Sequence, residues 1–168
     1  MNRLGRIAAL VGMLGVISAI AAPGVQAAAP EKKGDCPLVS TAVAGHTIGT
    51  ALKLSSPPLK IGTPAIGQGI TCTWDELTAH VTSVLSARLS KGPTEKANYA
   101  KDRTQSLDPV AVSGLGQKAF WTDTGGRLTV LVNAKTLVTI VHPDPTSSGD
   151  PAFRAESEAL AKLVIARL

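Results

Sequence analysis

The sequence predicts an α+β domain in which a curved antiparallel sheet of about five strands packs against an N-terminal and a C-terminal helix. Apolar and β-branched runs separated by short turns fill Val110–His142, the pattern of a three-stranded antiparallel meander. A further strand-like run, Ile70–Trp74, lies upstream, and helical periodicity marks both ends of the mature chain. The meander is therefore expected to be the platform on which the other elements pack.

Residues 1–27 have the composition of a secretory signal peptide. Arg3 and Arg6 precede an apolar run from Ile7 to Ala22, and Val25–Ala27 supplies small residues before a cleavage site. A retained membrane anchor is the alternative, but the run has about 16 residues whereas a bilayer span needs roughly 20. The sequence therefore predicts a secreted or cell-envelope protein, which contacts a membrane only if this segment is not cleaved.

Cleavage after Ala27 would leave a flexible polar leader, residues 28–35, and a single α+β domain, residues 36–168. Cleavage removes two of the 17 basic residues and none of the 12 acidic ones, so the mature chain carries a net charge of +3. The basic residues are scattered and aromatic residues are few. We therefore expect no nucleic-acid ligand, because such sites combine a basic stripe with stacking rings.

Cys36 and Cys72 are the two cysteines of the chain. An even pair in an exported protein is most simply a disulfide, which would stabilise the fold by roughly 3–4 kcal/mol. Lipid attachment at Cys36 is not expected, because Lys33-Gly34-Asp35 does not form the Leu-x-Gly/Ala run of a lipoprotein signal. A metal site is not expected either, because further ligands are missing beside both cysteines.

The first half of the domain is predicted to begin with a helix over residues 37–47. Asp35 or Cys36 would cap this helix, and Gly49 would end it. The segments that follow are a short strand at 51–54, a loop rich in Pro and Gly at 55–69, and the strand at 70–74.

Residues 77–89 fit a helix and a strand almost equally well. Their apolar residues recur at a helical period, but the Thr and Val content and the turn after Trp74 favour a strand. Residues 94–105 follow Pro93 and contain few apolar side chains, which predicts a polar surface helix.

The last predicted element is an amphipathic helix that begins at Pro151 and continues to Leu168, with Asp150 as its N-cap. Its expected apolar stripe consists of Phe153, Leu160, Leu163, Val164 and Leu168.

Gly114-Leu115-Gly116 lies inside the meander and has a superficial likeness to a phosphate-binding loop. Such a loop needs a third glycine and a following helix, whereas here a strand follows. We therefore predict a tight turn or bulge that uses glycine's backbone freedom. The next two strands carry apolar residues on both faces, so the middle of the sheet is expected to be covered on both sides.

The histidines offer few arrangements for chemistry. His46, His80 and His142 lie far apart in sequence and lack metal-ligand spacing, so no metal or other cofactor is expected. His142 stands two residues before Asp144, which pairs a base with an acid. An alternative function is therefore a small secreted hydrolase or metal-binding protein that uses His142 and Asp144.

Several features together resemble the small secreted proteins and lipoproteins of actinobacterial cell envelopes that are grouped under a domain of unknown function. These are the signal peptide, the Asp35–Leu38 helix start, the Cys72–Trp74 strand, the Val112–Ala119 pattern Val-Ser-Gly-Leu-Gly-x-x-Ala, the meander and the terminal helix. The resemblance covers about residues 35–168. It implies an α+β sandwich with a disulfide from the first helix to a strand and supplies no catalytic residues, and this chain departs from the family's lipoproteins by lacking a lipid-attachment cysteine.

The sequence thus favours a non-enzymatic extracytoplasmic binding or accessory protein whose partner, a protein or an envelope component, is unknown. A ligand pocket is expected near Trp74, Trp121 and Tyr99, between the 55–69 loop and the 94–105 helix. A third hypothesis is a secreted factor that contacts a protein or polymer through the 55–69 loop.

Overall fold

The structure is a computed structural model that describes residues 35–63, 67–77, 84–142 and 151–168. Within these ranges it contains three helices and eight strands. Outside the described residues lie the predictions for the signal peptide 1–27, leader residues 28–34, His80, Asp144 and the N-cap Asp150.

The elements alternate between single helices and groups of strands along the chain. In order they are α1 Thr41–Thr47, β1 Leu52–Leu54, β2 Leu59–Thr63, β3 Gly67–Glu76, β4 Leu85–Lys91, α2 Glu95–Gln105, β5 Val110–Val112, β6 Lys118–Thr122, β7 Arg127–Asn133, β8 Thr136–Val141 and α3 Pro151–Ile165. None of the described helices is long and apolar enough to cross a bilayer.

The strands form one antiparallel sheet in the order β1-β3-β4-β8-β7-β6-β5, with β2 beside β3. The predicted α+β class is therefore confirmed, but the expected number of about five strands is too low. Two of the additional strands, β2 and β5, come from segments that the sequence patterns assigned to a loop and to the start of a longer strand.

The segment 55–69 is not the continuous loop that its Pro and Gly content predicts. Strand β2 pairs with β3 from Leu59↔Thr71 to Thr63↔Gly67. The prolines at 57 and 58 precede this strand, so they remove none of its ladder hydrogen bonds. Gly62 lies within the strand at a φ of 81°, so glycine content does not mark a loop at this position.

The segment 110–122 folds as the hairpin β5–β6 rather than as the first strand of a three-stranded meander. Gly114 and Gly116 form its turn with φ values of 77° and 52°, which confirms the prediction of a tight turn. A Cβ on Gly116 would lie 2.6 Å from the Leu131 carbonyl oxygen, so this glycine also permits a close approach to β7. The meander therefore contains four strands.

Helix α1 begins later than predicted, because Ser40 rather than Asp35 or Cys36 is its N-cap. The Ser40 hydroxyl accepts a hydrogen bond from the Val43 N–H. Residues 37–39 instead form bends, which place Leu38 and Val39 in the core. At the other end Gly49 has a φ of 69° and follows the last helical turn, so the predicted stop is confirmed.

The strand predicted within 77–89 is confirmed for its described second half by β4, and α2 confirms the helix predicted at 94–105. Helix α3 confirms the terminal helix but changes its apolar stripe. Leu163 and Leu168 are 39% and 47% exposed. The buried face instead follows helical spacing through Ser157, Leu160, Ala161 and Val164.

The sheet separates two apolar clusters, as alternating side chains on β7 show. Leu128 and Val130 belong to the main core, whereas Leu131 belongs to a second cluster. The main core includes residues of α1 and α3, and the second cluster includes Tyr99 of α2. The expectation that both faces of the sheet are covered is therefore confirmed.

The Cys36–Cys72 disulfide joins the segment before α1 to β3, across 36 positions of sequence. Both cysteines are fully buried in the main core. The predicted disulfide is thus confirmed, and it fixes the N-terminal segment of the described domain to the centre of β3. A disulfide bond also fits an extracellular location.

Candidate functional site

The structure does not bring the three predicted pocket residues together. Trp74 is fully buried in the main core, where its indole N–H donates to the Thr41 hydroxyl over 3.1 Å. Trp121 is in the same core and donates to an Asp123 carboxylate oxygen over 2.6 Å. Tyr99 belongs to the second cluster, on the other face of the sheet.

Tyr99 anchors α2 to the sheet. Its ring meets the Phe120 ring edge to face, with the centroids 5.3 Å apart. Burial raises the pKa of the Tyr99 phenol, although the nearby charge of Arg103 lowers it. The phenol is therefore neutral at physiological pH, and this residue has a structural position under the helix.

A polar cleft of about 700 Å³ lies between α2 and the adjacent face of the sheet. This volume is in the range of small-molecule sites. Its lining comes from four strands and one helix, and consists of Thr71, Ser86, Arg88, Ser90, Glu95, Asn98, Lys101, Asp102, Gln105, Arg127, Leu137, Thr139 and Val141.

The floor of the cleft is set by strand register. Arg88 on β4 is paired with Thr71 on β3 and with Thr139 on β8. Cross-strand partners project from the same face, so the Arg88 side chain starts between two threonine side chains. Ser86 and Ser90 share this face, because they lie two residues from Arg88 on the same strand.

Helix α2 forms the facing wall by helical spacing. Asn98, Lys101, Asp102 and Gln105 line the cleft and lie three or four residues apart, which places them on one side of the helix. The helix is held on the sheet by the Tyr99 contact and by the bond from Arg127 of β7 to Asp102. The wall is therefore fixed at more than one point.

The two carboxylates of the cleft are engaged by the protein. Asp102 accepts from the Arg127 guanidinium at 3.1 Å and from the Thr129 hydroxyl at 3.2 Å. Glu95 is 4% exposed and accepts from the Ser90 hydroxyl at 2.8 Å and from the Asn98 amide at 3.2 Å. Both acidic groups thus stabilise the attachment of α2 to the sheet.

The basic side chains of the cleft are less completely satisfied. Arg127 is paired with Asp102, but within the described ranges Arg88 and Lys101 have neither an ion pair nor a side-chain hydrogen bond. The hydroxyls of Thr71, Ser86 and Thr139 also lack hydrogen-bond partners among these residues. The cleft consequently presents positive charge and hydrogen-bonding groups that can contact a ligand.

The two described histidines lie away from this cleft. His142 is 6% exposed and faces α3, where its ring packs against Phe153 and Nδ1 lies 3.5 Å from a Glu156 carboxylate oxygen. His46 is exposed on α1 beside a shallower depression of about 460 Å³. No cluster of His, Cys, Asp and Glu suited to a metal occurs among the residues described.

Arg88 is not among the residues that the sequence patterns mark as a site, although the sequence around it carries a usable signal. Leu85, Ala87 and Leu89 are buried, and the intervening Ser86 and Arg88 are polar. This alternation predicts a strand with one polar face. The signal was obscured because the segment also fits a helical period.

The fold and the cleft define an α+β domain with a polar cleft between a helix and an antiparallel sheet. Searches of family models, curated proteins and solved structures found no match to this chain.

Proposed function

We propose that the protein is a secreted or cell-envelope, non-enzymatic binding or accessory module that holds a small ligand in the α2 cleft. The observation that carries the proposal is the set of unpaired polar groups around Arg88 on the floor of a cleft of about 700 Å³. Such groups, placed inside a concavity, can give a ligand both affinity and orientation.

The cleft is supported by a framework that suits binding. Its floor is made by β3, β4 and β8, which are central strands of the sheet. The disulfide fixes Cys72 on β3, and Asp102 fixes the helical wall to Arg127. A preformed site favours affinity because little conformational freedom is lost when the ligand binds.

A binding role also fits the state of the acidic groups. A general acid or base needs a titratable group within hydrogen-bond reach of the reacting atoms. Glu95 and Asp102 instead bond to neighbouring side chains that attach α2 to the sheet. These contacts support a non-enzymatic role for the cleft.

Export and family membership are parts of the same proposal. The signal-peptide pattern of residues 1–27 and the disulfide both favour an extracytoplasmic location. The resemblance to small actinobacterial envelope proteins of unknown function is in keeping with an accessory role there.

The proposal can be tested by equilibrium dialysis of the purified protein against a defined mixture of sugars, sugar phosphates, organic acids and amino acids. Mass spectrometry of both chambers would show which compounds the protein retains. Thr71→Tyr would narrow the cleft, and Thr104→Tyr is the matched control because it adds the same ring at an exposed position of α2 outside the lining.

We expect at least one compound to be retained by the wild-type protein and by Thr104→Tyr, and to be lost with Thr71→Tyr. Retention that is equal in all three proteins would place binding outside the cleft. Absence of any retained compound, or conversion of a compound into a product, would contradict the proposed non-enzymatic binding function.

A further inference from the structure

We infer that the ligand of the α2 cleft carries a carboxylate or phosphate group on a small hydroxyl-bearing molecule, and that Arg88 binds this anionic group. This inference rests on the proposed function and adds the chemical class of the ligand. Lys101, on the helical wall, supplies a second positive charge to the same cleft.

The balance of charge in the cleft supports an anionic ligand. Three basic side chains and two acidic ones contribute to the lining. Arg127 and Asp102 form one ion pair. Glu95 is buried and bonded to neutral groups, whereas Arg88 and Lys101 have no partner in the described part of the chain. Positive charge is thus what the cleft offers to a ligand.

The guanidinium of Arg88 narrows the chemical class of the ligand further. A guanidinium presents a planar set of N–H donors that matches two oxygens of a carboxylate or phosphate. Arg88 provides this set at the middle of the cleft floor, while a lysine can provide only a compact charge. An anionic group with paired oxygens therefore fits this position better than a single-atom anion.

The neighbours of Arg88 account for the hydroxyl-bearing part of the ligand. Thr71 and Thr139 flank Arg88 on the adjacent strands, roughly 5 Å away on each side. Ser86 lies on the same face of β4. Hydroxyl groups both donate and accept hydrogen bonds, so this surround suits the hydroxyls of a sugar acid or sugar phosphate.

Three probes with one common sugar ring test this inference: glucose, glucuronate and glucose 6-phosphate. Isothermal titration of the purified protein would compare a neutral probe with a carboxylate and a phosphate. We expect glucuronate, glucose 6-phosphate or both to bind at least about tenfold more tightly than glucose, because a charge-assisted contact is added. The stronger of the two would identify the anionic group.

Variants would locate the charge that binds the probes. Arg88→Gln should weaken the affinity for the anionic probe by about tenfold or more, and Lys101→Gln should weaken it by a smaller factor. Lys96→Gln removes the same charge from α2 at an exposed position outside the lining, so it should leave affinity within about twofold. Circular dichroism would verify that all three variants are folded.

Equal binding of glucose and the anionic probes would overturn the inference, as would unchanged affinity in a folded Arg88→Gln protein. Failure of both anionic probes to bind would also overturn it. In each case the dialysis of Thr71→Tyr against Thr104→Tyr would still report separately on the proposed function, because a neutral ligand retained in the cleft would show there.

Discussion

Asp35 and Ser40 together determine how the described domain begins. Ser40 caps α1, whereas the Asp35 carboxylate accepts from the Thr41 backbone N–H at 3.0 Å and from its hydroxyl at 2.6 Å. The same carboxylate accepts from the Cys36 N–H at 2.9 Å. The sequence predicts a cap near this position but not its residue, because several adjacent side chains have capping chemistry.

The contacts of the Asp35 carboxylate make the stability of the fold depend on pH. Burial raises the pKa of this carboxyl, but the bonds from Thr41 and Cys36 and the charge of Arg167 outweigh burial and hold the pKa below 3.8. The ionised group therefore stabilises the fold above pH 3.8, and this stabilisation is lost as the pH falls through the lower folded-state pKa.

Asp35→Asn should consequently reduce the free energy of unfolding at neutral pH, and the difference from wild type should shrink in acid. Urea unfolding between about pH 3 and pH 7 would measure this difference. Asp108→Asn is the control, because Asp108 is exposed at a positive φ that asparagine also tolerates. A difference for Asp35→Asn that does not depend on pH would contradict the argument.

Removal of the Ser157 hydroxyl should stabilise the protein, whereas removal of the Asp35 charge should destabilise it. Its hydroxyl is buried in α3 and has no hydrogen-bond partner among the described residues. Ser157→Ala should therefore raise the free energy of unfolding by about 0.5–1 kcal/mol, because an unsatisfied group is removed and alanine favours a helix. Chemical denaturation would measure the change.

Ser40→Ala is a useful comparison, since it removes the same atom from a capping position. It should lower the free energy of unfolding by about 1 kcal/mol. A loss of stability in Ser157→Ala that matches this value would show that the Ser157 hydroxyl has a stabilising partner after all.

At the scale of elements, two glycines of one turn have different functions. Gly114 has a φ of 77° and open space around the position of a Cβ, whereas Gly116 has a φ of 52° and faces the Leu131 carbonyl oxygen. Gly114→Ala should thus cost about 1–2 kcal/mol of backbone strain. Gly116→Ala should cost about 2–4 kcal/mol, because steric overlap is added to that strain.

Thermal and urea unfolding of the two glycine variants would rank these costs. Both variants carry the same substitution at a positive φ in the same turn. The difference between their free energies of unfolding therefore measures the cost of the close approach of the turn to β7. Equal costs would show that the close contact at Gly116 relaxes without penalty.

The disulfide is the element-scale feature that connects the start of the domain with the sheet. It closes a loop of 36 positions, which corresponds to about 4 kcal/mol in the chain-entropy description. A Cys36→Ala/Cys72→Ala variant should lose about that much stability in urea unfolding, and reduced wild-type protein should approach the same value. A loss below about 1 kcal/mol would mean that the bond contributes little to the fold.

For the whole molecule, the sequence predicted the parts of the fold that depend on local periodicity. The α+β class, both terminal helices, the disulfide and the last two strands of the meander follow from patterns a few residues long. Strand β2 was missed because its five residues lie between prolines and glycines and gain their order from pairing with β3. That pairing is a tertiary property, which composition does not report.

The cleft could not be predicted for a related reason. Four residues of the cleft lie on four different elements: Thr71, Arg88, Lys101 and Thr139. Only the strand register and the docking of α2 bring them together in one cleft. Large aromatic residues drew attention to Trp74 and Trp121, yet burial of aromatic surface more often stabilises a core. The cleft is instead lined mostly by polar residues with ordinary local patterns.

The most direct test of the account is an NMR titration of the isotope-labelled protein with glucuronate and, separately, with glucose 6-phosphate. We predict that the largest backbone amide shifts cluster at Thr71, Arg88, Lys101 and Thr139, and that they disappear in Arg88→Gln. Shifts that cluster around His46 on α1 or around His142 beside α3, with the cleft amides unchanged, would contradict the proposal that this cleft is the binding site.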